Sequence, residues 1–173
     1  SKEDEVIRLV DAAVATYGRL DGAFNNAAVP NLGRPIADVT FEEWQRCIGI
    51  NLSGTYLCLK YEILAMLKTG GGAIVNTSST AGLVTVPLTG EYTASKHGVS
   101  GLTRAAASDY GHYNIRVNAI APAATRTTMY KAFAETNPEF EQNLVALHPI
   151  GRASEPAEQA AAAQFLLSDA ASF

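Results

Sequence analysis

The spacing of apolar residues along the chain alternates between two periods, which predicts helices and strands in turn. A period of about 3.6 residues indicates a helix with one buried face, and a short unbroken apolar run indicates a buried strand. The predicted strands are Leu20–Phe24, Ala73–Thr77 and Ile115–Ile120. The predicted helical segments run from the first residues to Gly18 and over 40–68, 92–111 and 156–167, with shorter helices within 125–147.

Strands that alternate with helices predict an α/β fold, in which crossover helices connect the strands of a parallel sheet. Ligands of such sheets bind beyond the carboxyl ends of the strands. Polar residues follow each predicted strand here: Asn25-Asn26, Thr77-Ser78-Ser79, and Pro122 with Thr125 and Thr127 behind it. We therefore expect one functional site at one edge of the sheet, within a single domain that spans residues 1–173.

Tyr92 and Lys96 form the first chemically suggestive pair, because residues four apart lie on the same face of a helix. The ammonium of Lys96 and the N-terminal end of the helix dipole both favour a charged phenolate. We therefore expect the pKa of Tyr92 to fall below its ordinary value of about 10.

Asn51 is the second suggestive residue, because Gly49 and Gly54 flank it inside a long helical segment. Both glycines weaken a helix. We expect a kink near Asn51 that turns its side chain inward.

The charge and composition exclude several classes of function. The chain has 173 residues, a net charge of -4 and a pI of about 5.3, so no basic surface for nucleic acid is expected. No apolar run approaches the ~20 residues of a membrane span, and no leader marks secretion, so the cytoplasm is the expected location. Cys47 and Cys58 share one helical segment and the histidines have no metal-like spacing, so neither a disulfide nor a metal site is expected.

The surroundings of the site are predicted from the segments that follow the strands. Pocket walls are expected from Val29-Pro30, Leu83–Glu91 and the segment 127–147. Within that last segment, Tyr130, Phe133 and Phe140 are expected to line a lid or to pack in the core. We expect the carboxylate of Glu91 to be solvated.

Five sequence elements together resemble the classical short-chain dehydrogenase/reductase family. They are Asn25-Asn26-Ala27-Ala28, Asn51, Ser79, Tyr92-Thr-Ala-Ser-Lys96 and Asn118-Ala-Ile-Ala-Pro122, in the order usual for the family. The distance of thirteen positions from Ser79 to Tyr92 is the one that the family motif requires, and it selects Ser79 over Ser78. The resemblance implies a Rossmann-like doubly wound parallel sheet.

The resemblance also implies an NAD(P)-dependent oxidoreductase that interconverts a secondary alcohol and a ketone. Tyr92 would be the general acid and base, Lys96 would lower its pKa and bind the nicotinamide ribose, and Ser79 would hold the substrate oxygen. Asn51 would hold a water in a proton relay behind Lys96. The residues implied in binding NAD or NADP are Asn25, Ala27, Tyr92, Lys96, Pro122, Thr125 and Thr127.

The sequence departs from the family pattern in two respects. Ala28 and Ala123 stand where the family usually has glycine, and each adds a methyl group near backbone or cofactor. The family's T-G-x-x-x-G-x-G turn, which binds adenosine and pyrophosphate, does not occur in these residues, and neither do its NAD- or NADP-selecting positions or its last strand. We therefore expect only part of the Rossmann-like sheet, as a portion of a longer protein.

Other functions stay open on the sequence alone. They are a cofactor-incompetent fragment or scaffold subunit, and an epimerase or dehydratase that uses the same site. Small residues at Ala94, Ser95, Ala105 and Ala106 are expected on the outward face of their helix. In the family that the sequence resembles, the helices at about 51–68 and 92–111 pack against their copies in a second subunit. Together with these small residues, the resemblance predicts a homodimer or homotetramer.

Overall fold

A computed structural model describes residues 2–30, 33–128, 130–131, 134 and 138–173. The strands in these ranges are β1 (Gly22–Asn25), β2 (Gly72–Thr77) and β3 (Ile115–Ile120). The helices are α1 (Glu3–Tyr17), α2 (Phe41–Ile48), α3 (Gly54–Met66), α4 (Gly90–Tyr110), α5 (Pro138–Ala146) and α6 (Pro156–Leu167).

The described strands form one sheet in the order β1-β2-β3, and both pairings are parallel. Asn25 lies opposite Asn76, and Thr77 lies opposite Ile120, so the carboxyl ends of the strands share one edge of the sheet. Helices cover both faces. The core against α3 and α4 contains Leu59, Ile63, Met66, Ile74, Ala106, Ile115 and Val117, and the core against α6 contains Val75, Ile120 and Ala163. The predicted Rossmann-like parallel fold is confirmed.

The predicted kink at Asn51 is a single wide turn of π-helix between α2 and α3, Gly49–Ser53. The turn ends where the Gly54 N–H donates to the carbonyl of Gly49, five residues back. This wide turn directs Asn51 into the protein, where it is 1% exposed. The kink therefore serves to bring one amide side chain to the sheet edge.

The predicted outward stripe on α4 is wrong for two of its four members. Ser95 and Ala106 are buried, because Ser95 faces the π turn and Ala106 packs into the core under the sheet. Ala105 is exposed and Ala94 is half-buried. The face that α4 leaves open is therefore narrower than the sequence pattern indicated.

Part of the predicted lid falls outside the residues that the structure describes. Phe133 and the side chain of Phe140 belong to this undescribed part. Tyr130 is described and is buried. In the described ranges no helix is long and apolar enough to cross a membrane, and no group of three or more His, Cys, Asp or Glu side chains could hold a metal ion.

Candidate active site

Ser79 follows β2 and begins a short turn that lies against α4. Its hydroxyl accepts a hydrogen bond from the Ala81 N–H at 3.2 Å, and its carbonyl accepts one from the Gly82 N–H at 2.8 Å. A Cβ at Gly82 would lie 2.6 Å from the Lys96 carbonyl oxygen, so only glycine lets the turn approach the helix this closely. The turn places the Ser79 hydroxyl close enough to the Tyr92 phenol to favour a lower pKa of that phenol.

Ser78 has a different environment from its neighbour. It is 3% exposed, and its hydroxyl donates to the Lys96 carbonyl at 3.1 Å and contacts the Ser100 hydroxyl at 2.8 Å. These bonds fasten the end of β2 to the middle of α4. Ser78 therefore joins β2 to α4, while Ser79 lies near the phenol. The choice of Ser79 as the catalytic hydroxyl stays a prediction.

Tyr92 lies in the first turn of α4, and Lys96 lies one turn further on the same face. The Lys96 Nζ is 5.6 Å from the centre of the Tyr92 ring and donates to the Thr77 carbonyl at 2.7 Å. Lys96 is only 3% exposed. An ammonium has three N–H donors, and within the described residues Lys96 uses one of them. Two donors of a buried cation are thus available to hydroxyl groups of a ligand.

Burial raises the pKa of the Tyr92 phenol, and the hydrogen bond from Ser79 opposes that rise. The direction expected from the sequence is therefore wrong for the polypeptide by itself. The reason is that Lys96 directs its ammonium to the Thr77 carbonyl, and burial lowers the pKa of Lys96 to about 8. At neutral pH the phenol carries its proton, which suits a group that donates a proton to a substrate oxygen.

The Asn51 side chain joins the loop after β1 to α4. Its Oδ1 accepts from the Val29 N–H at 2.8 Å, and its Nδ2 donates to the Val29 carbonyl at 3.1 Å and to the Ser95 hydroxyl at 3.3 Å. Ser95 in turn donates to the Tyr92 carbonyl at 2.7 Å. Asn51 thus fixes the position of the loop and of the Tyr92 turn together. Its role in holding a relay water stays a prediction.

Glu91 is buried and not solvated as expected, with only 1% of its surface exposed. It precedes Tyr92 in the first turn of α4, on the side that packs against α2. It lines a cavity of about 30 Å³ with Val29, Pro30, Glu43, Arg46 and Cys47. The surroundings of the first turn of α4 are therefore more polar and more enclosed than the sequence pattern indicated.

Asn25 belongs to a chain of polar side chains beneath the sheet edge. Its Nδ2 donates to Glu62 Oε2 and to Asn76 Oδ1, both at 3.0 Å. The Nδ2 of Asn76 donates to the Thr103 hydroxyl at 3.0 Å, so the chain connects α3, both strands and α4. Burial raises the pKa of the Glu62 carboxyl to about 7. Asn25 thus stabilises the sheet near the site rather than projecting freely from it.

Replacing Glu62 by Gln should stabilise the protein at pH 8 and have little effect at pH 5. The carboxyl is protonated in the folded protein up to about pH 7 but ionises near its ordinary pKa of 4.5 after unfolding. The folded state therefore binds more protons between these values, and wild-type stability falls as the pH rises through this window, by up to about 3 kcal/mol. Gln keeps the acceptor for Asn25 and carries no charge.

Urea unfolding at pH 5 and pH 8 measures this difference, with Asp11→Asn as the control because Asp11 is exposed on α1. The free energy of unfolding of the Glu62→Gln variant should exceed that of the wild type by more at pH 8 than at pH 5. For the control, the difference from the wild type should be the same at both pH values. If the difference in free energy of unfolding between Glu62→Gln and the wild type does not change with pH, Glu62 has the same pKa in the folded and unfolded chain.

The segment after β3 contributes the remaining predicted residues. The Pro122 carbonyl accepts from the Thr80 N–H at 3.1 Å, which brings this segment beside the Ser79 turn. The Thr125 hydroxyl lies 2.9 Å from the Ser154 hydroxyl, and the Thr127 hydroxyl accepts from the Tyr130 N–H at 3.3 Å. Ala27 is exposed in the loop after β1. The predicted residues therefore border one edge of the sheet from three neighbouring segments.

Sequence reasoning missed the residues that support the site. Ser95, His148 and Ser154 give no spacing signal, because each bonds a group far away in the sequence: Ser95 to Asn51, and His148 and Ser154 to Ala124. Glu62 does have a signal. It occupies the buried stripe of α3 with Leu59, Ile63 and Met66, and a carboxylate on such a stripe requires a buried partner.

The structure places Ser79, Tyr92 and Lys96 at the carboxyl edge of a parallel sheet. Residues 1–173 match the protein family described as Enoyl-(Acyl carrier protein) reductase. The chain is 53% identical to 2,5-dichloro-2,5-cyclohexadiene-1,4-diol dehydrogenase of Sphingobium indicum, with all of this chain and 70% of that protein aligned. It is 41% identical to cyclohexanol dehydrogenase of Acinetobacter sp., with all of this chain and 66% of that protein aligned.

Solved structures give the same result. Carveol dehydrogenase from Mycobacterium avium in complex with NAD has a TM-score of 0.94 and 34% identity, covering 99% of this chain and 67% of that one. ElxO with NADP bound has a TM-score of 0.94 and 30% identity, covering 99% and 69%. The chain belongs to the short-chain dehydrogenase/reductase family, and it is an oxidoreductase of the class that acts on CH–OH groups.

Proposed function

We propose that the protein interconverts a secondary alcohol and a ketone, with NAD or NADP as the hydride carrier and Tyr92 as the proton carrier. The observation that carries this proposal is the proximity of the Ser79 hydroxyl to the Tyr92 phenol, beside the buried ammonium of Lys96. Bound cofactor supplies or accepts the hydride. The relatives and solved structures named above support the cofactor assignment, because their names specify dehydrogenases and bound NAD or NADP.

Each residue of the cluster has one task in this proposal. Ser79 donates a hydrogen bond to the substrate oxygen, which steadies the negative charge that develops there. Tyr92 gives its proton to that oxygen in reduction and takes it back in oxidation. Lys96 has two N–H donors for the ribose hydroxyls, and Asn51 keeps the Tyr92 turn and the adjoining loop in place.

The cofactor would be held along the same edge of the sheet. Lys96 is the residue best suited to bind the cofactor, because a buried ammonium with two available donors needs hydroxyl or carbonyl partners. The loop of Asn25 and Ala27 and the segment of Pro122, Thr125 and Thr127 would border it on the two sides. These are assignments from the family pattern onto residues that lie at one edge.

The substrate class that fits best is an alicyclic secondary alcohol. The loop between Ser79 and Tyr92 presents exposed apolar side chains at Leu83, Val84, Val86 and Leu88. Leu88 has a φ of 63°, a left-handed conformation that costs a non-glycine residue roughly 1–2 kcal/mol. Strain of this kind collects at ligand sites. An apolar wall suits a hydrocarbon ring, and both named relatives act on ring alcohols.

A comparison of cyclohexanol with hexan-2-ol in the full-length protein tests this proposal. The two alcohols have the same number of carbon atoms, but the ring loses fewer internal rotations on binding and therefore less conformational entropy. We expect kcat/KM for cofactor reduction to be roughly tenfold higher with cyclohexanol. Equal values would contradict the substrate class, and no turnover with any secondary alcohol would contradict the reaction.

We also propose that α3 and α4 pack against a second copy of the chain. Tyr56 and Leu64 of α3 are 49% and 47% exposed, and Ala105 of α4, the helix that packs against α3, is also exposed. Large apolar side chains in such positions favour association. Sedimentation of the full-length protein should give a dimer or tetramer, and a monomer at every concentration would contradict this.

A further inference from the structure

Both backbone polar groups of Ala124 are held by side chains from a distant part of the chain. The Ala124 N–H donates to Nε2 of His148 at 3.2 Å. The Ala124 carbonyl accepts from the Ser154 N–H at 2.9 Å and from the Ser154 hydroxyl at 3.1 Å. Ala124 belongs to the segment 122–127, which borders the proposed cofactor site.

The Ser154 side of this arrangement is attached to a rigid element. Gln159 of α6 donates to the Ser154 hydroxyl at 2.9 Å. Arg152 donates through both terminal nitrogens to the carboxylate of Glu158 at 2.6 Å, in the first turn of α6. α6 packs against the sheet through Ala163 and Leu167. Through α6, Ser154 therefore fixes the position of the segment 122–127 relative to the sheet.

The His148 side is attached to a different helix. Its Nδ1 contacts the Leu144 carbonyl at 2.7 Å, at the C-terminal end of α5. A carbonyl can only accept, so Nδ1 carries the proton and Nε2 is free to accept from Ala124. The neutral imidazole in this single tautomer is the form that makes both bonds. His148 therefore links the loop to α5.

Ser154 also forms hydrogen bonds with the next two residues of the segment 122–127. The Thr125 hydroxyl lies 2.9 Å from the Ser154 hydroxyl, and the Arg126 N–H donates to the Ser154 carbonyl at 2.9 Å. Loops of this length lose much conformational entropy when they are ordered, so each bond that orders the loop beforehand lowers the cost of binding.

We propose that His148 and Ser154 form a clamp on Ala124 that positions the segment 122–127 for the cofactor. They are positioning residues, since they act through the backbone of the loop and not on the reacting atoms. The proposal rests on the proposed function for the part that concerns the cofactor. It assigns to α5 and α6 a joint control of the position of the segment 122–127.

Two pairs of variants of the full-length protein test the clamp. His148→Leu removes the acceptor for Ala124, whereas His148→Gln keeps an acceptor oxygen. Ser154→Ala removes the hydroxyl, whereas Ser154→Thr keeps it. Hydrogen–deuterium exchange of the peptide over 121–127, measured without cofactor, should rise roughly tenfold in Leu and Ala variants and stay near wild type in the Gln and Thr variants.

Cofactor titration and steady-state kinetics complete the test. In the Leu and Ala variants the dissociation constant and KM for the cofactor should rise by roughly tenfold, while KM for the alcohol changes less than about twofold. Exchange in α1 should not change, which separates the clamp from general unfolding. Unchanged exchange over 121–127 overturns the clamp, and faster exchange with unchanged cofactor affinity overturns its positioning role. A wild type that binds neither NAD nor NADP contradicts the proposed function, while the exchange data still judge the clamp.

Discussion

Replacing Tyr92 by Phe should lower kcat for cyclohexanol oxidation in the full-length protein by roughly 10³-fold, the loss typical of removing a general acid or base. The variant keeps the ring that packs at the start of α4 and loses only the hydroxyl that contacts Ser79. Steady-state formation of reduced cofactor measures the effect.

The cofactor affinity of the Tyr92→Phe variant separates chemistry from binding. The dissociation constant for the cofactor should change by less than about threefold, because the two available donors of Lys96 remain. Tyr113→Phe is the matched control, since Tyr113 is half exposed beyond the far end of the same helix and should keep full activity. A Tyr92→Phe variant with a kcat within tenfold of the wild type would refute the role of Tyr92.

Replacing Ser79 by Ala should lower kcat by roughly 10²-fold, because a hydrogen bond to the developing charge on the substrate oxygen is lost. The expected loss is smaller than for Tyr92, since the proton carrier remains. Activity with cyclohexanol and the melting temperature are measured on the same preparation. The melting temperature should stay close to the wild-type value, because the hydrogen bond from the Ala81 N–H to the Ser79 hydroxyl lies within one short turn.

Ser78→Ala is the control that the chain itself offers. The Ser78 hydroxyl is bonded to the Lys96 carbonyl and to Ser100, so its removal should lower the melting temperature by several degrees and leave kcat within about threefold. The two neighbouring serines thus predict opposite patterns of stability and activity. If Ser78→Ala lost kcat and Ser79→Ala did not, the assignment of the two hydroxyls would have to be exchanged.

The sequence predicts the fold well, and it predicts that Tyr92 and Lys96 lie close together, because both depend on local spacing. The strands end in polar residues, and Tyr92 and Lys96 need only a helix to be brought together. The π turn at Asn51 is also foreseeable from its two glycines. These features arise within a few residues of chain, where periodicity and backbone propensity act.

The electrostatics of the site could not be predicted in the same way. The sequence places a cation near the phenol but does not say how deeply either group is buried or where the ammonium donates. The Thr77 carbonyl takes the ammonium, and burial moves the pKa of Tyr92 up and that of Lys96 down. Burial of Glu91 has the same origin, because packing of α2 against α4 decides it.

The clamp on Ala124 is the feature that is hardest to predict from the sequence. His148 and Ser154 lie 24 and 30 positions along the chain from Ala124 and bond to its backbone, which is the same for every residue type. Side-chain chemistry at these positions therefore gives no recognisable pattern. Their role becomes visible only when α5 and α6 are placed beside the end of β3.

The transfer of a label tests the central claim most directly. Cyclohexanol deuterated at the carbinol carbon is incubated with the full-length protein and oxidised cofactor. Mass spectrometry then measures the deuterium content of the reduced cofactor. The account predicts one deuterium in the reduced cofactor for each cyclohexanone formed, and a Tyr92→Phe variant that forms neither at a comparable rate. Label that appears in solvent or in an isomerised alcohol, with no labelled reduced cofactor, would contradict it.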